Sequence, residues 1–213
     1  QTTTLESCND KRAWGAKNCR VNYAFFFGAT NTNAHVLPTI PTQHLPGIKV
    51  FMGSSTGGML VDDAAALREV FANSPRLVMT HCEDTAIIHA NTTRIGDSRD
   101  ISLHPIIRSR EACIESSRMA ARIAAETGAR LHIAHITTAD ELALASPQVT
   151  LEACVPHLLF CDEDYARLDT RIKCNPAIKT RADREALREA VRDGRITLIA
   201  TDHAPHLLQD KEG

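Results

Sequence analysis

Short apolar, β-branched runs alternate along the chain with stretches in which apolar positions recur at helical spacing. The apolar runs are nearly uninterrupted, which is typical of strands covered on both faces of a parallel sheet. We predict strands at 21–28, 47–53, 76–81, 130–136, 148–155 and 196–202. We predict helices at 4–17, 31–44, 62–73, 105–127, 138–145 and 181–193. Successive strand–helix units indicate an α/β fold.

An open doubly wound sheet and a (β/α)8 barrel both accommodate these units, and the positions of polar residues decide between them. His81, His135 and Asp202 fall at the C-terminal ends of three predicted strands, and Lys49 interrupts a fourth. Barrels build their active sites from several strand ends. An open sheet concentrates its site at one crevice, usually beside a Gly-rich turn that this sequence lacks. We therefore predict a single TIM-like barrel domain over 1–213, incomplete at both ends.

Composition narrows the class of protein further. The charge is balanced, with 24 Lys and Arg against 26 Asp and Glu, which argues against a nucleic-acid partner. We expect neither a membrane-spanning segment nor a signal peptide. The seven cysteines include no C-x-x-C pair, which favours free thiols over disulfides or a zinc knuckle. These features predict a cytoplasmic protein.

Each of the four polar strand residues has an ordinary structural explanation when taken alone. Lys49, inside an apolar strand, must be paired, must reach solvent, or must be chemically changed, for example to a carbamate by carbon dioxide. Asp202 serves equally well as a helix cap, and His81 or His135 as a packed core histidine. Together, however, Lys, His, His and Asp at successive strand ends are what a two-metal hydrolytic centre needs.

Several motifs make the sequence resemble the dihydroorotases of the amidohydrolase superfamily, in their type I long-chain form. They are KVFMGSSTGGMLVD, THCED, LHIAHITTADEL, RIKCNPAIKT and ATDHAPH. The last is specific to dihydroorotases and the nearest cyclic amidohydrolases, and KCNPAIK favours dihydroorotase among them. The resemblance covers essentially the whole chain. It implies reversible ring closure of N-carbamoyl-L-aspartate to dihydroorotate with loss of water, a step of pyrimidine biosynthesis.

The resemblance also implies the ligands of a metal centre. Lys49 would be carboxylated and would bridge two divalent metal ions, zinc by default because imidazole and carboxylate ligands suit it. His81 and His135 would bind the more exposed metal. Asp202 would bind the other metal and act as general base and acid.

Two further residues match the family's substrate-binding positions. Asn175 in KCNPAIK and His206 in DHAPH would hold the pyrimidine ring and the substrate carboxylate, with His203 in a supporting position. At the level of the family, the resemblance also suggests a homodimer.

The family's first strand carries a His-x-His and an Arg that this sequence lacks, since no two of its ten histidines are spaced by two. By the family's pattern these residues would precede Gln1, and the closing strand would follow Gly213. We therefore expect this polypeptide alone to be poorly active unless other segments complete the ligand set. Two alternatives stay open. One is another cyclic amidohydrolase, a hydantoinase (dihydropyrimidinase) or allantoinase. The other is a non-catalytic dihydroorotase-like partner of a protein such as aspartate transcarbamoylase.

Other polar residues have simpler expected roles. We expect His104 to lie at the surface and His157 to be a weaker candidate for the barrel mouth. We expect Glu83 to be a first-turn acid of a helix. Arg108 and Arg110 are expected to be mostly solvated, on the outer face of their helix.

Overall fold

The structure, a computed structural model, describes residues 1–53 and 58–212. The predicted loop at 54–58 lies, apart from residue 58, outside the described residues. The strands are β1 Phe27–Gly28, β2 Gly47–Phe51, β3 Leu77–His81, β4 Leu131–Ile133, β5 Val149–Cys154 and β6 Leu198–Ala200. The α-helices are α1 Leu5–Asn18, α2 Ala64–Asn73, α3 Thr85–Ile95, α4 His104–Ile107, α5 Arg110–Thr127, α6 Val155–Leu159, α7 Tyr165–Leu168, α8 Arg181–Arg192 and α9 Leu208–Glu212. Short 3-10 helices cover Ala34–Thr39, Ile101–Leu103, Asp140–Leu144, Asp162–Asp164 and Asp169–Ile172.

The chain divides into two compact units. The first comprises Gln1–His81 with Ala120–His132, and the second comprises Cys82–Met119 with Ile133–Gly213. Strand β4 straddles this division. The single barrel domain over the whole chain therefore stays a prediction.

In the first unit, β1, β2 and β3 pair in parallel and in chain order, with Phe51 opposite His81 at the end of the β2–β3 pairing. Helix α2 begins at a side-chain cap in which Asp63 accepts a hydrogen bond from the Ala66 N–H at 2.7 Å. Helices of such βαβ units cover the sheet with an apolar face. The fully buried core side chains here include Phe27, Leu37, Ile48, Val50, Val70, Phe71, Val78, Ile123 and Leu131.

In the second unit, β5 and β6 pair in parallel, from Glu152 opposite Leu198 to Cys154 opposite Ala200. Helix α8 begins with a capping box in which Thr180 and Asp183 satisfy each other's backbone N–H groups. The largest fully buried side chains of this unit are Ile133, Ile136, Leu151, Ile178, Leu187 and Glu83. Glu83 is the charged residue among them, and it forms an ion pair with Arg108, so this core also contains a polar interaction.

The predicted elements and the observed ones differ at several positions. The helices expected at 31–44 and 138–145 are short 3-10 helices, Ala34–Thr39 and Asp140–Leu144, and helix α3 was not predicted. The strand expected at 21–28 is reduced to Phe27–Gly28. The helix expected at 105–127 is divided, because Arg108 adopts φ −92° and ψ 66°, outside the helical region. The strands expected at 130–136 and 196–202 end early, at Ile133 and Ala200. Within the described part of the chain, no helix combines the length and the apolar character that a membrane span requires.

Candidate metal and substrate site

Lys49 and His81 lie on one face of the sheet in the first unit. Register pairing of Phe51 with His81 puts these two side chains on the same face, and the two-residue period of a strand adds Lys49 to it. The Lys49 Nζ atom lies 4.8 Å from the centroid of the Phe51 ring. The Phe51 and His81 ring centroids are 5.8 Å apart. Lys49 is half-buried and His81 is buried. A lysine and an imidazole thus share one aromatic neighbour.

His135, in the second unit, is buried but lies outside the strand that was predicted to carry it. The predicted strand at 130–136 included His135, but the observed strand β4 ends at Ile133. His135 instead has φ 38°, a left-handed conformation uncommon for a residue other than glycine. Its backbone N–H donates to the Glu152 carboxylate at 3.2 Å, and the Ile136 N–H donates to the Glu152 carbonyl at 2.9 Å. Glu152 therefore stabilises the turn that presents His135.

Asp202 also lies beyond the observed end of the strand that was predicted to carry it. Strand β6 ends at Ala200 and Asp202 has φ 45°, so strand alternation does not set the direction of its side chain. The left-handed conformation is tolerated because a short polar Asp side chain is among the few that visit this region. Asp202, His203 and His206 are all exposed.

A cavity of about 390 Å³ in the second unit brings three of the predicted site residues together. Asn175, Asp202 and His206 line it. The other lining residues are Lys173, Cys174, Ala204, Asp210 and Lys211. The wall thus combines an amide, two carboxylates, an imidazole and two ammonium groups, which are groups that bind a small polar molecule. Burial raises the pKa of the Cys174 thiol to about 11.

Two histidines that the sequence left at the surface or at the mouth are buried structural residues. The His104 Nε2 atom lies 2.9 Å from the carbonyl oxygen of Cys174, and the His157 Nε2 atom lies 2.9 Å from that of Pro176. Burial lowers the pKa of each imidazole to about 4, and the bond to the carbonyl opposes that change. Both rings are therefore neutral at physiological pH.

The charged residues expected at helix surfaces also have buried partners. Glu83 is fully buried and forms an ion pair with Arg108, so it is not a solvated first-turn acid. Asp84, not Glu83, caps helix α3 by accepting from the Ile87 N–H at 2.9 Å. Local periodicity missed this pair because the partners are 25 residues apart.

Arg110 likewise is not a simply solvated residue. It donates to the Asp183 carboxylate at 3.0 and 2.7 Å and to Asp140 at 2.6 Å. Burial disfavours the charged form of Asp183, but hydrogen bonds from Arg110 and Thr180 outweigh it and lower the pKa of this carboxyl. The Asp183 partner is 73 residues away in sequence, which hides this pair from sequence patterns.

Glu152 is the missed residue with the clearest sequence signal. A carboxylate inside the apolar strand VTLEAC is as unusual as the lysine in IKVF, and it should have been flagged for the same reason.

The side-chain types fit a metal, because imidazole nitrogen and carboxylate oxygen are ligands of zinc. Within residues 1–53 and 58–212, however, no group of three or more His, Cys, Asp or Glu side chains is arranged to hold a metal ion. Residue types that bind zinc are therefore present. In the described part of the chain, however, no three of them are close enough together to form a metal site.

Comparison with known proteins gives clear relationships, although no family model matches the chain. The dihydroorotase of Geobacillus thermodenitrificans is 37% identical over 164 residues, which cover 72% of this chain and 38% of that protein. The allantoinase of Rubrobacter xylanophilus is 29% identical over 216 residues, covering 96% of this chain and 48% of that protein. The structure of the L-hydantoinase (dihydropyrimidinase) from Arthrobacter aurescens superposes with a TM-score of 0.92 and 23% identity, over 99% of this chain and 49% of that one.

The parallel strands and this structural likeness show an α/β fold, which together with the dihydroorotase and allantoinase matches is consistent with an incomplete TIM barrel of the amidohydrolase type. This confirms the predicted fold class. Within that class, its sequence is of the dihydroorotase type. The chain spans about two fifths of the length of these dihydroorotase relatives, 38% in each case. The dihydroorotase and hydantoinase family is metal-dependent.

Proposed function

We propose that this chain carries part of the active site of a dihydroorotase, which interconverts N-carbamoyl-L-aspartate and dihydroorotate. The observation that carries the proposal is the cavity in which Asn175, Asp202 and His206 meet. These residues come from the two motifs that resemble dihydroorotases most specifically, and they are far apart in sequence. An amide and an imidazole beside a carboxylate suit a cyclic imide that bears a carboxylate substituent.

The chemistry assigns separate tasks to these side chains. In the hydrolytic direction, a water oxygen bonds to the ring carbonyl carbon and the bond from that carbon to the ring nitrogen breaks. Asp202 takes the proton from the water and delivers it to the departing nitrogen. Asn175 donates to and accepts from the ring amide, and His206 binds the substrate carboxylate. Ring closure is the same sequence reversed, with loss of water.

We further propose that Lys49, His81, His135 and Asp202 are ligands of two zinc ions, with Lys49 carboxylated. Carboxylation would turn the half-buried ammonium into a carboxylate, which adds an oxygen donor on the face of the sheet that carries His81. The proposal includes a single barrel domain over 1–213, a homodimer and a cytoplasmic location. Metal analysis of the purified chain, with mass spectrometry for one carbon dioxide on Lys49, tests the ligand set. An unmodified Lys49 without bound metal contradicts it.

The activity is tested by offering dihydroorotate, N-carbamoyl-L-aspartate, allantoin and hydantoin in parallel to the zinc-supplemented chain. We expect slow turnover of the first two, because the sequence lacks the family's His-x-His ligands. Asp202→Asn should lower this turnover by at least a further factor of about a hundred, the usual size of a general acid–base contribution. His89→Gln, an exposed histidine of α3, is the control and should match the unmodified protein. Turnover of allantoin or hydantoin without dihydroorotate overturns the assignment.

One observation favours a second candidate, allantoinase. The allantoinase match extends over 96% of the chain, whereas the dihydroorotase matches cover 72–76% of it. The matched length thus favours allantoinase, and the identity favours dihydroorotase. His206 separates the two reactions, because hydrolysis of a neutral hydantoin ring gains nothing from a group that binds a ring carboxylate. We therefore expect His206→Gln to weaken dihydroorotate binding about tenfold, the loss of one hydrogen bond to a charged group.

A further inference from the structure

The segment from Lys173 to Thr180 carries Asn175 and has an unusual construction. Apart from a short turn it has no regular secondary structure, yet Pro176, Ala177, Ile178 and Lys179 are buried. Buried backbone polar groups need hydrogen-bond partners, and without a strand neighbour those partners must come from elsewhere. In this segment, side chains from other elements supply several of them.

Two buried histidines bind the backbone on either side of Asn175. His104, at the start of α4, contacts the Cys174 carbonyl, and His157, in α6, contacts the Pro176 carbonyl, both at 2.9 Å. A carbonyl oxygen only accepts, so each neutral imidazole must carry its proton on Nε2 and donate it. The two rings are 9% and 5% exposed, so water does not compete for these bonds.

Three more bonds fix the C-terminal side of the segment. The Lys179 ammonium donates to the Ala177 carbonyl at 2.8 Å. The Ile178 N–H donates to the Tyr165 hydroxyl at 3.3 Å, and the Lys179 carbonyl accepts from the Asp162 N–H at 2.8 Å. Asn175 is the exposed residue between these anchors, and it faces the cavity that Asp202 and His206 also line.

We propose that His104 and His157 are positioning residues that hold the Asn175 side chain in the cavity, ready to bind a cyclic imide. Neither imidazole is among the residues that line the cavity, so their effect passes through the backbone carbonyls of Cys174 and Pro176. That the ligand is dihydroorotate rests on the proposed function. That Asn175 is held in place does not rest on it.

The test compares His157→Leu, which removes the donor, with His157→Gln, whose amide nitrogen takes the place of Nε2. The same pair is made at His104. The first readout is nitrogen-15 relaxation of the Asn175 and Ala177 backbone amides in the whole chain. We expect order parameters near the rigid value of about 0.85 in the unmodified protein and in the Gln variants. They should fall below about 0.6 in the Leu variants.

The second readout is the dissociation constant for L-dihydroorotate, measured by calorimetry. We expect it to rise about tenfold in each Leu variant and to return toward the original value in the Gln variants. Tyr165→Phe is the matched control: it removes a bond to the same segment at Ile178, and the Asn175 amide should stay rigid.

The outcomes separate the two ideas. Unchanged Asn175 order in both Leu variants overturns the positioning role, whatever the ligand. Lost order with an unchanged dissociation constant also overturns it, because Asn175 then does not need to be held for binding. If the unmodified chain binds allantoin and not dihydroorotate, the proposed function fails, and the relaxation data still decide the role of the two histidines. If a Leu variant also lowers the order parameters of the α2 amides, the change reports general unfolding. The order parameters of the Gln variant then test the positioning role on their own.

Discussion

Two irregular segments provide the walls of the candidate cavity, and they are held in opposite ways. Residues 173–180 have a buried backbone fixed by side chains of α4, α6 and α7. Residues 201–206, which carry Asp202 and His206, are exposed at every position. The amide that would orient a substrate is therefore pre-organised by the described residues. Asp202, which would transfer the proton, and His206, which would bind the substrate carboxylate, are exposed rather than enclosed by the described residues. The predictions below test this contrast, in order of decreasing effect on stability.

Acid should destabilise the buried segment most. The pKa of His104 and of His157 is about 4 in the folded chain, below the ordinary 6.5 of an exposed imidazole. The unfolded chain therefore binds more protons between these values, so stability is complete above pH 6.5 and falls as the pH drops toward 4. Each histidine accounts for up to about 3 kcal/mol of the free energy of unfolding. Urea titrations at a series of pH values measure the slope. His157→Gln should reduce it, and an unchanged slope contradicts the interpretation.

Arg110→Leu should cost about 3 kcal/mol, because it leaves the Asp183 carboxylate buried without its cation. Asp183 also accepts from the Thr180 hydroxyl at 2.6 Å, so the change acts at the end of the buried segment. Urea unfolding at pH 7 measures the loss. Arg118→Leu, which removes an exposed pair with Glu115 on the same helix, should change stability by less than about 1 kcal/mol. Equal effects of the two changes would contradict a special role for Arg110.

Tyr165→Phe should cost about 1–2 kcal/mol, because it leaves the buried Ile178 N–H without its acceptor. Tyr23→Phe provides a matched comparison, since the Tyr23 hydroxyl donates at 3.3 Å to the Arg12 carbonyl at an exposed position. That change should stay within about 0.5 kcal/mol. Urea unfolding of both variants measures the difference between their midpoints. We expect Tyr165→Phe to unfold at a clearly lower urea concentration than Tyr23→Phe.

Asp202→Asn and His206→Gln should leave the free energy of unfolding within about 0.5 kcal/mol, as exposed substitutions do. Their effects should appear in turnover and binding instead. A loss of stability comparable to that of Arg110→Leu would show that residues 201–206 are packed in solution, and it would remove the contrast between the two walls.

The sequence predicted what local pattern controls. The apolar runs located β2, β3 and β5 to within two residues at each end, because burial on both faces demands uninterrupted apolar residues. The helices predicted at 62–73 and 181–193 begin within two residues of the observed α2 and α8, where Asp63 and Thr180 act as caps. The dihydroorotase-type motifs were recognisable without any structure.

The sequence could not predict what depends on distant partners. His104 was placed at the surface and Glu83 in the first turn of a helix, whereas both are buried and have partners far along the chain, Cys174 and Arg108. His135 and Asp202 were placed within predicted strands, but both lie beyond the observed strand ends with the backbone in the left-handed region. Tertiary hydrogen bonds determine the burial and backbone conformation of these residues, and hydrophobic periodicity in the sequence does not reveal such bonds.

The raised pKa of Cys174 has a practical consequence for labelling. With a pKa of about 11, about one Cys174 thiol in ten thousand is ionised at pH 7, so alkylating reagents react with it slowly although it lines the cavity. Cys19 is the exposed cysteine of the seven, and it lies in the other compact unit. A maleimide dye added briefly at neutral pH should therefore attach at Cys19 and leave the cavity wall unmodified, which gives a fluorescent handle without removing any native cysteine.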